Sequence, residues 1–405
     1  VYLSREGQLL FAAKAVRTFA FGWLSVVLAL YLSRLGFSSA EIGAVFTATM
    51  VEDALLTIAL SSLAARVGPW RIMALTAPLI ALGGVLLATA ESRWLLLAGA
   101  VIGTLSPNGQ EAGPFSALEQ ALLPDAVPAG ARTRLFGWYN VFGFLPAALG
   151  AAAAGAALEW ASRSGAAGLA GYRLMAWAYA GAGVVLTALY LRLGALTPRR
   201  ARGSPPARVG RLGLHRSRGA VLELAGLQAL DALAGGFIMQ SLLAYWFHLR
   251  FGAGPETLGA LFFGTNLLSA VSFVLAARIA DRFGLLNTMV FTHLPSNVLL
   301  LIVPFMPSLP AAAAVLLARH LLSQMDVPTR QAFTMTLVAA EERPAAAGLT
   351  SSVRSLAQAC APAVTGVTMA AAATSVPFLL AGGLKIVYDL ALFVRFRKVS
   401  LSEEP

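Results

Sequence analysis

Twelve stretches of about twenty mostly apolar residues follow one another along this chain, and a helix of that length crosses the hydrocarbon of a bilayer. They run approximately over 8–32, 41–64, 72–90, 94–122, 135–158, 172–191, 221–248, 257–279, 286–306, 310–334, 346–373 and 376–396. Turn or charge signals part them, among them Val67-Gly-Pro, Glu91-Ser-Arg93 and Pro307-Ser-Leu-Pro310. Hydrophobic residues make up 58% of the chain and charged residues 12%. A water-facing surface needs about twice that share of charge, so the solvent this sequence suits is lipid. The lone cysteine, Cys360, excludes a disulfide scaffold, and the lack of strand-length alternation excludes a β-barrel. The expectation is an all-α integral membrane protein of twelve transmembrane helices.

The net charge of +11 is unevenly placed. Eight arginines lie between Arg192 and Arg218 with no acid among them, and Ser204, Pro205 and Pro206 break any helix there. No recognition module surrounds the run, so nucleic acid is not the expected partner. A cytoplasmic loop is, because basic residues near span ends set orientation. That placement puts nineteen basic residues near span ends on the cytoplasmic side and five opposite (Arg34, Arg93, Arg163, Arg173 and Arg250). Both termini are then cytoplasmic, and a cell inner (plasma) membrane is the expected location. The N-terminal apolar stretch has no convincing small-residue cleavage site and reads as a first span.

The sequence repeats itself at an offset of 216. Arg34, Gly36, Gly43, Ala44 and Phe46 recur as Arg250, Gly252, Gly259, Ala260 and Phe262. Ala64, Arg66, Gly68 and Met73 recur as Ala280, Arg282, Gly284 and Met289, and Pro146 and Gly150 as Pro362 and Gly366. Residues 1–191 and 221–405 are therefore expected to be parallel six-helix bundles joined by a basic cytoplasmic linker, 192–220. Two such bundles can enclose a cavity near the midplane and rock to open it to either side.

On these residues the chain resembles the major facilitator superfamily. The family's loop after the second span has the form Gly-x-x-x-Asp-Arg-x-Gly-Arg-Arg, and the second half keeps its centre as Asp281-Arg282-Phe283-Gly284. The first half keeps Arg66 and Gly68 but carries Ala65 where the acid belongs. The resemblance implies two six-helix bundles and monomeric secondary transport of a small molecule. It also implies a cytoplasmic latch at Arg66, Gly68, Glu119, Asp281, Arg282, Gly284 and Arg330, in which Arg66 pairs with Glu119. Span 5 carries Gly143-x-x-Pro146-x-x-x-Gly150, similar to a motif of proton-driven antiporters in that family, and this favours efflux.

Thirteen Asp, Glu, Lys and Arg residues lie three or more residues inside the span ends, and each costs on the order of 2.5–3.5 kcal/mol at the bilayer centre unless it is paired or faces the interior. Depth along each helix predicts that Arg17 meets Glu52, Asp53 or Glu111. By the same measure Asp231, Asp326 and Arg354 share one network. Lys385 and Asp389, spaced i, i+4, are expected to pair with each other. Pro114 and Pro328 sit amid polar residues in spans 4 and 10 and should break those helices. Arg17, Asp53, Glu111, Asp231, Asp326 and Arg354 are the candidate substrate- or proton-binding residues. Mid-depth carboxylates suit proton coupling, because desolvation and a neighbouring arginine pull their proton affinity in opposite directions. His293 reads as a packed histidine.

No phosphate-binding loop, zinc-protease motif or nucleophile elbow is coded, so an enzyme is not expected and no cofactor or metal is implied. The leading expectation is proton-coupled export of a small organic solute by alternating access. The alternatives are proton-coupled uptake of an organic anion and a non-transporting membrane sensor or scaffold.

Overall fold

The computed structural model describes residues 3–109, 114–123, 132–165, 168–196, 217–338 and 342–397. Every regular element among them is helical. In chain order these are α1 (Arg5–Arg34), α2 (Ser39–Val67), α3 (Pro69–Thr89), α4 (Arg93–Ile102), α5 (Phe115–Leu122), α6 (Arg132–Arg163), α7 (Leu169–Leu196) and α8 (Arg218–Gly236). They continue as α9 (Gln240–Phe251), α10 (Pro255–Phe283), α11 (Leu285–Ile302), α12 (Leu309–Ser323), α13 (Asp326–Thr336), α14 (Arg343–Ala359), α15 (Ala361–Ala370) and α16 (Val376–Phe396).

Nine helical segments among the described residues are long and apolar enough to cross a membrane. The broken pairs α4/α5, α12/α13 and α14/α15 are consistent with the other three of twelve. Large apolar side chains point outward along these helices, with Trp94 80% exposed and Leu75 68%. In water such a surface would aggregate, and in lipid it is the solvated face.

The chain gathers into two compact units. The first comprises 1–205 with 240–264, and the second 206–239 with 265–405. In the first unit α9 is held to α1, because Gln240 Nε2 donates to Ser25 Oγ at 2.7 Å and Ser241 Oγ to the Ser25 carbonyl at 2.7 Å. Tyr245 meets Ser39 at 3.2 Å, and the Ser241 amide donates to the Pro107 carbonyl at 2.9 Å. In the second unit Leu224, Met289, Val290, Phe333, Tyr388, Leu392 and Phe396 form a buried core shared by α8, α11, α13 and α16.

The repeat is visible in the backbone. Gly68 ends α2 at φ 104° and Gly284 ends α10 at φ 81°, a left-handed turn that a side chain would strain. Gly36 and Gly252 follow the same rule after α1 and α9, at φ 83° and 67°. Spans 4 and 10 both break, the first where 103–109 leave the helix after Ile102 and the second at Gln324–Met325. Pro114 lies at the first break, whereas Pro328 falls in the opening turn of α13, where its missing N–H costs nothing. Spans 7 and 11 break as well, at 237–239 after Gly235-Gly236 and at Cys360 ahead of Pro362.

Pro146, the repeat partner of Pro362, leaves α6 unbroken. Its ring removes the N–H that would have bonded the Phe142 carbonyl, and the Thr18 hydroxyl stands 3.4 Å from that oxygen. α1 comes this close because Gly22 and Gly150 lack side chains. A Cβ on Gly22 would strike the Ala147 backbone, and one on Gly150 the Phe19 carbonyl.

Candidate functional site

Among the described residues each unit buries a cluster of charges, and the two are built differently. In the first unit Arg17 of α1 forms a two-pronged pair with Glu119 of α5. Nη1 donates to Oε1 at 2.6 Å and Nη2 to Oε2 at 2.9 Å. Tyr190 of α7 donates to Oε1 at 2.6 Å, and Tyr139 of α6 to Oε2 at 2.5 Å. Arg17 also donates to the Tyr190 oxygen at 2.8 Å. Phe115 stacks on Tyr190, and the Lys14 ammonium lies 3.5 Å from the Tyr139 ring centre. Both charged side chains are 0% exposed. A guanidinium and a carboxylate taken wholly out of water are tolerable only when geometry and extra hydrogen bonds satisfy them, and here four donated bonds converge on one carboxylate.

The second cluster centres on Asp231 of α8. Its Oδ1 accepts from Lys385 of α16 at 2.5 Å, and its Oδ2 from Arg354 of α14 at 3.0 Å and Arg330 of α13 at 3.2 Å. Arg330 also donates to Asp326 Oδ2 at 2.5 Å, one helical turn before it. Arg354 reaches the Gln228 carbonyl at 3.3 Å, and Gln228 donates to Thr334 at 3.3 Å. Alongside, Asp389 of α16 is held by His293 of α11 at 2.8 Å and by Asn297 Nδ2 at 2.8 Å. Arg319 of α12 is buried within electrostatic reach of Asp326 and Asp231. Four cations (Arg319, Arg330, Arg354, Lys385) therefore face three carboxylates (Asp231, Asp326, Asp389) in this interior. Arg354 is the most open of the Asp231 partners, with its side chain 26% exposed.

Asp231, Asp326 and Arg354 come together through Arg330, which was expected in the latch. Arg17 and Glu119 also meet, across the line drawn between the site and the latch. Lys385 and Asp389 do not pair with each other, because α8 offers Lys385 a carboxylate while α11 offers Asp389 two nitrogen ligands. Asp53 is half-buried on α2. Glu111 and the Arg66 side chain lie outside the described residues. Asp281 and Arg282 are exposed at the end of α10, ahead of the Gly284 turn, and Gly68 makes the matching turn after α2.

Tyr139, beside Trp138 and Asn140, stood out in the sequence as a cavity-lining residue, whereas His293, Asn297 and Tyr190 were not expected in these clusters. For all of them, only the packing of helices distant in sequence supplies the charged partner. Among the described residues no group of His, Cys, Asp and Glu is arranged to hold a metal ion.

A duplicated helical membrane bundle with broken spans around buried charge is the architecture of a secondary carrier. A family model described as Major Facilitator Superfamily matches residues 10–323, and the chain belongs to that superfamily. It is 24% identical over 423 residues to Uncharacterized membrane protein YJR124C of Saccharomyces cerevisiae, covering 97% of this chain and 94% of that protein. Two solved structures share the fold at low identity. One is a bacterial homolog of the human lysosomal transporter Spinster, in an inward-facing and occupied conformation (TM-score 0.74, 15% identity, 96% of each chain). The other is the nucleoside transporter NupG (TM-score 0.71, 12% identity, 97% of this chain and 100% of that one).

Proposed function

We propose that this protein moves a small organic solute across the inner (plasma) membrane by alternating access, coupled to protons, with export as its working direction. The reading has two six-helix halves, 1–191 and 221–405, rocking about the cytoplasmic linker 192–220, with both termini cytoplasmic and one chain sufficient. The observation that carries it is the Asp231–Arg330–Asp326 chain on α8 and α13, with Arg354 and Lys385 closing on the same carboxylate. Arg330 divides its Nη1 between two acids. Protonating Asp326 releases that guanidinium wholly to Asp231, which loosens the hold of Asp231 on Arg354 and Lys385. One proton thereby redistributes bonds among four helices, which is what coupling to a conformational change requires. The outward direction rests on the span 5 motif around Pro146.

The test uses proteoliposomes loaded with a pH-sensitive dye and challenged with a solute library. A transported solute moves protons only when the protein is present. Asp326→Asn is expected to abolish this movement while the purified variant still melts cooperatively. Wild-type proton movement in Asp326→Asn would remove the coupling role.

A further inference from the structure

Arg319 is the one cation of the second cluster that makes no ion pair among the described residues, although Asp326 and Asp231 lie within electrostatic reach. It is 6% exposed, on the buried stripe of α12 with Ala312, Leu316 and Ser323. Among the described residues no carboxylate lies within ion-pair distance of it, because Arg330 already occupies Asp326 and three other cations surround Asp231. Its Nε has no hydrogen-bond partner. Its Nη1 meets only the His320 ring nitrogen Nε2, at 3.5 Å. His320 Nδ1 sits 2.9 Å from the Leu316 carbonyl and must carry the ring proton to bond there, which leaves Nε2 a neutral acceptor. One turn further along the same stripe, the Ser323 hydroxyl is also buried without a partner, beside the break between α12 and α13.

A guanidinium cannot escape such a position by losing its proton at physiological pH. A buried charge without a contacting counter-ion is strongly destabilising, and the geometry leaves the Arg319 fork open to a partner from outside. The planar fork fits a planar carboxylate through two parallel bonds, and a nearby hydroxyl can donate a third. We propose that Arg319, assisted by Ser323, receives the carboxylate of an organic acid, so that the solute itself completes the charge balance of the second cluster. This rests on the transport reading and narrows its substrate to organic monoanions.

The experiment measures melting of purified protein at fixed ionic strength in sodium chloride. The probes are benzoate, lactate and butyrate, each against its amide: benzamide, lactamide and butyramide. At about a hundredfold over its dissociation constant, an acid should raise the wild-type melting temperature by about 4 °C. The matching amide should not. Arg319→Gln should lose the shift and, without ligand, melt no lower than wild type, because an unpaired buried charge has gone. Arg319→Lys should keep part of the shift. The proposal is overturned if no acid shifts the wild type, if amides or chloride alone do as well, or if Arg319→Gln keeps the shift. It is overturned equally if Arg319→Gln fails to fold, which would make the residue structural. Proton movement driven by the amides but not by the acids would leave the transport reading intact and sink this one. Acid binding without any proton movement would do the reverse.

Discussion

The Arg17 cluster and the Asp231 cluster occupy corresponding spans of the two repeats. Each takes groups from the first, fourth, fifth and sixth helices of its half. The first is shut: one guanidinium meets one carboxylate, two phenols fill the carboxylate's remaining acceptor sites, the Lys14 ammonium lies against the Tyr139 ring, and neither Arg17 nor Glu119 is exposed. The second is unbalanced and shared, since one carboxylate serves three cations, one guanidinium serves two carboxylates, and Arg319 makes no ion pair among the described residues. A saturated pair has a single arrangement and works as a bolt. A network with too few acids has several arrangements of similar energy, which a proton or an anion can select between. Duplication supplied the same helices twice, and the side chains on them gave one half rigidity and the other a choice.

The comparison breaks most readily at its bolt. Arg17→Gln strands Glu119 and should cost about 3–5 kcal/mol of stability, as expected for an orphaned buried charge. Lys385→Gln leaves Asp231 with Arg354 and Arg330 and should cost about 1–3 kcal/mol. Thermal melting of both variants decides, and equal losses would erase the distinction. A finer probe is Tyr190→Phe, which removes one donor from Glu119 while the guanidinium and Tyr139 remain. It should cost about 1 kcal/mol and leave solute-driven proton movement unchanged. A loss of transport with unaltered melting would show that the first cluster also takes part in the chemistry.

Much of the architecture was legible before any coordinates. The 216-residue offset foretold the paired glycine turns, and Pro114 marked the break in span 4. Asp231, Asp326 and Arg354 were grouped correctly by depth, because their helices run regularly from the cytoplasmic ends to those positions. Glu119 was not among the acids that depth offered Arg17, for the opposite reason. Treating 94–122 as one rod put Glu119 at its far end, whereas the chain leaves the helix after Ile102 and α5 begins afresh at Phe115, carrying Glu119 to α1. The expected pairing of Lys385 with Asp389 failed because local spacing says nothing of what neighbouring helices offer. Gly22 and Gly150 look like ordinary small residues until α1 and α6 are seen to touch.

The most direct test is whether water reaches the second cluster and whether its access changes. Ser351 lies three residues before Arg354, hence on the same face of α14, and is exposed. Ser351→Cys in a Cys360→Ser background can be labelled in sealed vesicles of known sidedness with a membrane-impermeant thiol reagent. The account predicts labelling from one side, at a rate that changes several-fold when a pH gradient or a transported solute is added. Labelling from neither side, or at a rate indifferent to both, would mean a dry and static centre and would contradict it.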